Sequence, residues 1–158
     1  MPEEPNKRAQ LERYAHAFNT SELLKYLSGH LTFSEAGDRV LVRVDPVLPT
    51  HRGGMGTAAV NGGVLAATFD FVIGITAALV DPTRRSATMQ LNMTFERPVV
   101  GDWYTAEAWI DRAGGSTLFS SAAIKDPQGE ICSRATGLVR LSKAPWSLDW
   151  QQSQTAKP

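Results

Sequence analysis

An acid, a pair of glycines and an apolar helix pattern meet in the middle of this chain. Asp70 lies in VNGGVLAATFDFVIGITAALV, Val60 to Val80, and is the only charged side chain between Arg52 and Asp81. Desolvation disfavours a bare carboxylate in apolar surroundings, so Asp70 must be neutralised, hydrogen-bonded or turned toward a cavity. Seven residues before it, Gly63 closes the triplet Asn61-Gly62-Gly63 at the start of the helix pattern. The first N–H groups of a helix have no partner inside it, and the helix dipole strengthens their pull on an oxygen atom. Glycine there lets another molecule approach the backbone closely. The combination suits an acyl-transfer site. The plainer account is an Asn61 N-cap together with a structural acid that caps a loop or pairs with Arg84 or Arg85.

Other chemistries find little support. His51 precedes the glycine-rich loop LPTHRGGMGTAAVNGG and either reaches toward the site or is a surface-loop histidine. Cys132, the only cysteine, sits in a strand-like run and reads as a small buried residue. Its solitude rules out an intramolecular disulfide and is compatible with a cytoplasmic location. There is no HExxH, no Cys-x-x-Cys and no dense His/Asp cluster, so no metal is expected. The phosphate loop GxxxxGKS/T, the dinucleotide fingerprint GxGxxG and the hydrolase elbow GxSxG are all missing.

The elements that must position Asp70 are read from periodicity. Residues 6–17, NKRAQLERYAHA, read as a helix, and SELLKYLSG as a second one, capped by Thr20 or Ser21 and ended by Gly29. LTFSEAG and DRVLVRVDPV come next; in the latter Val40, Val42 and Val44 alternate with Leu41 and Arg43, as in a strand. The helix from Asn61 to about Leu79 is apolar on nearly every side and should be enclosed. Four alternating runs come after it, separated by turns at Pro98–Gly101, Gly114-Gly115 and Pro127–Gly129. In the first run Met89, Leu91, Met93 and Phe95 share one face. They read as a meander: an antiparallel sheet wrapped around one helix.

Length and charge fit one soluble domain over residues 1–158, with 1–29 as a helical extension and 151–158 as a disordered tail. Lys+Arg and Asp+Glu number 16 each, which argues against nucleic acid or an anionic membrane as partner. The polar start MPEEPNKRAQLERY carries no apolar signal core. Val64–Val80 is short for a bilayer, which needs about 20 apolar residues, and has Asp70 at its centre.

With NGGVLAATFD on the helix, the arrangement resembles the hotdog-fold acyl-CoA thioesterases, most closely their phenylacetate-type (PaaI-like) group. That group typically carries His-Gly-Gly, an acid seven residues after the second glycine, a strand ending in a Phe-x-Arg-Pro-like segment, and Gly-Asp opening the next strand. Gly62, Gly63 and Asp70 match the helix motif, and NMTFERPVVGDWYTAEAWI matches the two strand segments after it. RAGGSTLFSSAAI resembles the hairpin that lies near coenzyme A. The likeness runs from Leu31 to Leu141; Asn61 stands where the group has histidine, and the N-terminal helices and APWSLDW fall outside.

The resemblance implies an α+β hotdog fold: an antiparallel β-sheet wrapped around a long central helix, with extra N-terminal helices. It implies an acyl-CoA thioesterase, coenzyme A being part of the substrate and no other cofactor being needed. Gly62 or Gly63 N–H, next to Asn61, would form the oxyanion hole, and Asp70 would act as general base or attack directly. Thr88 stands where relatives often carry a Ser or Thr facing the attacking water; a strand threonine chosen for β-propensity is the alternative. Arg84, Arg85, Arg112 and Lys125 are candidates for the coenzyme phosphates, with Gly114, Gly115 and Ser116 of the hairpin alongside. The family's sites are shared between subunits, so a homo-oligomer is expected, a dimer or a dimer of dimers. The competing expectation is a non-catalytic hotdog protein that binds an acyl-CoA. Asn61 keeps that alternative open and Asp70 favours the enzyme.

Overall fold

The computed structural model describes residues 6–146. The expected tail, 151–158, lies outside the described residues. Two helices open the fold, α1 (Lys7–Asn19) and α2 (Glu22–Leu27), followed by β1 (Gly29–Phe33) and β2 (Arg39–Val44). A short 3-10 turn, Pro49–His51, leads to the glycine-rich loop and then to α3 (Gly62–Ile75), which tightens into a 3-10 turn over Thr76–Leu79. Strands β3 (Arg84–Phe95), β4 (Tyr104–Gly114), β5 (Thr117–Lys125) and β6 (Ile131–Pro145) complete it. All pairings are antiparallel in one six-stranded sheet of order β1-β2-β4-β5-β6-β3. This is the hotdog fold.

The sheet closes on α3 through its alternating apolar faces. Val40, Val42 and Val44 of β2 are buried, as are Ala106 and Ala108 of β4, Leu118 and Ile124 of β5, and Val139 of β6. They meet Leu65, Phe69, Val72 and Ile73 of α3. Burying each such large side chain stabilises the fold by about 1.5–3 kcal/mol. Gly137 on β6 is where helix and sheet come closest: a Cβ there would lie 2.8 Å from both Ile73 Cγ2 and the Gln90 carbonyl oxygen.

Three expectations need correction. The four C-terminal strands are not a simple meander: β3 pairs with β6 at the sheet edge, and the segment 96–103 carries the chain back to β4. Alternation identifies a strand but not its neighbour. Met89, Leu91, Met93 and Phe95 do not share a face throughout, because a bulge interrupts the β3–β6 register between Thr88 and Gln90. The extra residue, Met89, is 53% exposed, and the inward phase passes from Ser86 and Thr88 to Leu91 and Met93. Finally, α2 ends on Ser28 in the left-handed conformation (φ 52°), not on Gly29. Gly29 opens β1 and is needed for room, since a Cβ there would lie 2.8 Å from Leu24 Cδ2.

The N-terminal helices belong to the core. Asn6 Oδ1 caps α1 by accepting Ala9 N–H at 2.9 Å, and Ser21 caps α2. Tyr14 of α1 stacks on Phe18 (centroids 4.5 Å apart) and meets Phe33 of β1 and Trp146 after β6 edge-on. Phe18 meets Phe71 of α3 in turn. The Trp146 indole N–H donates to the Pro82 carbonyl. α1 thus covers the free side of β1 and ties it to the far ends of α3 and β6.

Candidate active site

Asn61 begins α3 as an N-cap in extended conformation. Its carbonyl accepts Val64 N–H at 3.0 Å and Leu65 N–H at 3.1 Å, while its Oδ1 accepts Gly63 N–H at 2.8 Å. Because Gly63 offers a donor, the oxygen of the carboxamide must face it, which fixes the orientation of the amide. The two candidate donors therefore differ. Gly63 N–H is engaged by its own cap, whereas Gly62 N–H meets no acceptor among the described residues and is exposed. Among the described residues a Cβ on Gly62 would meet only the Phe95 ring, at 3.8 Å, so none of them requires glycine there.

α3 is not enclosed on every side, which corrects the sequence expectation. Gly63 and Asp70 are exposed and Ala66, Ala67 and Gly74 half-buried, forming an open strip of small residues along one face. Asp70 therefore lies at the surface of the chain, not in an apolar interior. It makes no hydrogen bond or ion pair among the described residues. At 100° per residue, seven positions return Asp70 to within about 20° of Gly63, about 10.5 Å along the helix. The same chain's Asp70 is thus too far from Gly62 to act on one carbonyl with it.

Thr88 faces this strip from β3. Its Oγ1 lies 3.1 Å from where a Cβ on Gly74 would sit, so the glycine admits the strand one turn past Asp70. Ser86, on the same face, donates to the Gly74 carbonyl at 2.9 Å. β3 runs antiparallel to α3: Phe95 stands over the helix start and Thr88 beside its last turn.

The proposed phosphate contacts lie toward the opposite end. Arg84 is partly committed, with Nε donating to the Ser142 carbonyl at 2.5 Å and Nη1 4.0 Å from Asp81. Arg85 and Arg112 are exposed and carry no side-chain bond among the described residues. Lys125 is not at that end: it closes β5 level with Phe95, and Glu107 holds it at 2.9 Å. Gly114 pairs with Thr117 across a two-residue turn in which Gly115 takes φ 63°, and Leu141 N–H donates to the Ser116 carbonyl at 2.8 Å. Leu118, Val139 and Thr88 are in register across β5, β6 and β3, so this hairpin is level with Thr88 but two strands away. One chain therefore brings Asn61, Gly62 and Gly63 together at one end. It sets Arg84 and Arg85 toward the other, with Thr88, Arg112, Gly114, Gly115 and Ser116 at one level short of them and Asp70 between.

The sequence offers His51 two places, near the pocket or at the surface, and it occupies neither. It is 0% exposed: Nδ1 accepts Leu48 N–H at 3.1 Å, and Nε2 bonds the Tyr26 carbonyl at 2.5 Å. Flanking glycines and charges suggest a surface loop, and the carbonyl it meets comes from α2, 25 positions earlier. Among the described residues no cluster of His, Cys, Asp and Glu could hold a metal ion.

Residues 58–133 match the thioesterase superfamily. The chain superposes on the E. coli PaaI protein of the phenylacetic acid degradation operon with TM-score 0.76 at 17% identity, covering 90% of this chain and 100% of that one. A thioesterase-superfamily-related protein from Shewanella oneidensis gives TM-score 0.77 at 20% identity, covering 87% and 99%. A thioesterase from Haemophilus influenzae gives 0.72 at 17%, covering 84% and 90%. No curated protein matches the chain by sequence. The matched region spans the helix start, Asp70 and Thr88, and stops before the end of β6.

Proposed function

We propose that the protein is an acyl-CoA thioesterase. The observation that carries this reading is a Gly62 N–H at the exposed start of α3 and an Asp70 on its open face, both without a partner among the described residues. A thioester carbonyl accepting from Gly62 N–H is polarised, and the helix dipole favours the charge that develops on its oxygen. Asp70 takes a proton from water as that water adds to the carbonyl carbon; the tetrahedral intermediate then expels the coenzyme A thiolate, which recovers the proton. In the second route Asp70 attacks directly, thiolate leaves, and water hydrolyses the resulting anhydride. Thr88 is well sited to orient water beside Asp70.

A second copy supplies what one chain separates. β3 is an edge strand of 12 residues with Met89 and Phe95 about half exposed, and nothing among the described residues covers it. Pairing two β3 strands antiparallel about a two-fold axis brings the Phe95 end of one copy, with its Gly62, to the Arg84 end of the other. The catalytic acid and the oxyanion donor then come from different chains, and Arg85 borders the partner's helix start. A dimer, or a dimer of dimers, in the cytoplasm goes with this reading.

The test is a panel of acyl-CoA substrates read out by released thiol, run on wild type and on Asp70→Asn. Turnover is expected to fall about 10²–10⁴-fold in the variant. Melting temperature should hold, because Asp70 is exposed and unpaired. Acyl-CoA that binds without release of thiol would favour the carrier or sensor reading instead.

A further inference from the structure

His51 lies outside the reacting groups, yet it is joined to the helix start by its own backbone: Asn61 N–H donates to the His51 carbonyl at 2.8 Å. The two residues close the base of the glycine-rich excursion. Above them Arg52 bridges Val60, and Gly53 N–H donates to the Ala59 carbonyl at 2.7 Å. On the exit side Val60 N–H anchors this base to the Val99 carbonyl at 2.9 Å. On the entry side the anchor is the His51 ring. Leu48 N–H donates to Nδ1, so Nε2 carries the proton and donates to the Tyr26 carbonyl. That carbonyl is in the last turn of α2, where helix acceptors lack partners of their own. The Tyr26 ring packs edge-on to the imidazole, at 5.4 Å between centroids.

We propose that His51 is a positioning residue for the oxyanion hole. Its ring fixes the carbonyl that holds Asn61 N–H, and this sets the direction of the next N–H along, that of Gly62. The chain of contacts runs Tyr26 carbonyl, His51 ring, His51 carbonyl, Asn61 N–H, Gly62 N–H. It makes the N-terminal helices part of the site's support, and it explains a fully buried histidine in a glycine-rich loop segment. This inference rests on the thioesterase reading, because Gly62 N–H matters to rate only if a carbonyl is polarised there.

The experiment compares His51→Phe and His51→Gln with wild type. Glutamine keeps an N–H that can reach the Tyr26 carbonyl; phenylalanine fills the space without one. Three quantities are read: kcat and KM for thioester hydrolysis, melting temperature, and hydrogen exchange at the Asn61 amide. The Phe variant is expected to lose about 10–100-fold in kcat, the scale of a small misplacement of a catalytic group, with KM within a few-fold. Its Asn61 amide should exchange faster, and Gln should restore much of both. Equal kcat per folded molecule in all three proteins, or KM and kcat falling together, overturns the proposal. If the Phe variant does not fold, Gln alone decides: wild-type kcat with a protected Asn61 amide supports the tether, and a kcat as low as deletion of a donor would give refutes it. If wild type cleaves no acyl-CoA, the thioesterase reading fails by itself. Amide exchange then still judges the tether, since an Asn61 amide unaffected by His51→Phe removes it.

Discussion

The side-chain amide of Asn19 takes both free backbone groups of Leu31: Nδ2 donates to the Leu31 carbonyl at 3.0 Å, and Oδ1 accepts the Leu31 N–H at 2.7 Å. One carboxamide from α1 thus does for β1 what a seventh strand would do. Leu31 is 0% exposed, so water cannot replace the pair. Stranding a buried backbone donor or acceptor costs about 1–3 kcal/mol. Asn19→Ala is expected to lower unfolding free energy by at least that amount, and denaturant titration at constant m-value checks it. A loss within experimental error would mean the edge is satisfied in another way.

Gly62→Ala separates packing from chemistry. The added methyl meets only the Phe95 ring at 3.8 Å, an ordinary contact, so melting temperature should stay level or rise slightly. Turnover should fall toward the level seen when an oxyanion donor is deleted, about 10²–10³-fold, because the methyl occupies the side from which a carbonyl approaches. Wild-type turnover in this variant would mean that Gly62 N–H is not the donor.

Gly137→Ala has the opposite signature. Its Cβ would lie 2.8 Å from Ile73 Cγ2 and from the Gln90 carbonyl oxygen, and β3 and α3 cannot both retreat. Overpacking of this kind costs about 1–3 kcal/mol. Thermal unfolding should show the loss.

Two buried tyrosines are expected to weaken the fold in alkali. Burial pushes the Tyr104 phenol up from its ordinary 10.0 to about 12, although its bond to Thr68 (2.8 Å) opposes the rise. Burial raises Tyr14 as well, with Ser86 opposing. Above pH 10 the unfolded chain releases these protons while the folded chain keeps them, so stability falls as pH rises. Between about pH 10 and 12 Tyr104 contributes a slope of at most about 1.4 kcal/mol per pH unit. Tyr104→Phe should flatten that decline. An unchanged slope would assign the alkaline loss elsewhere.

The helices and strands are legible in the sequence because their burial tracks its period. Val40, Val42 and Val44 on β2 and the apolar run after Asn61 are patterns any enclosed core imposes. Partner choice leaves no such trace: β3 lies beside β6 through long-range pairing, and the bulge at Met89 exchanges its faces. At the site, the spacing of Gly63 and Asp70 puts both on one helix face, and the structure keeps them there. The exposure of Asp70 is not legible from its apolar neighbours, because neighbours in sequence are not neighbours in space. The small residues Gly63, Ala66, Ala67 and Gly74 are the sign of an open strip that hydropathy alone hides. The burial of His51 leaves no local signal either, since it depends on a carbonyl from α2.

The closure of β1 by Asn19 also bears on how large an assembly can become. A sheet with two bare edges has no stopping rule: each added copy offers another, and growth ends in a fibre. Here the terminal strands are unlike, β3 uncovered among the described residues and β1 already saturated at its middle residue. Two copies joined through β3 would turn only their β1 ends outward, and strand-by-strand propagation halts at two. Asn19 is in that sense a chain terminator, one side chain that keeps a sticky fold finite.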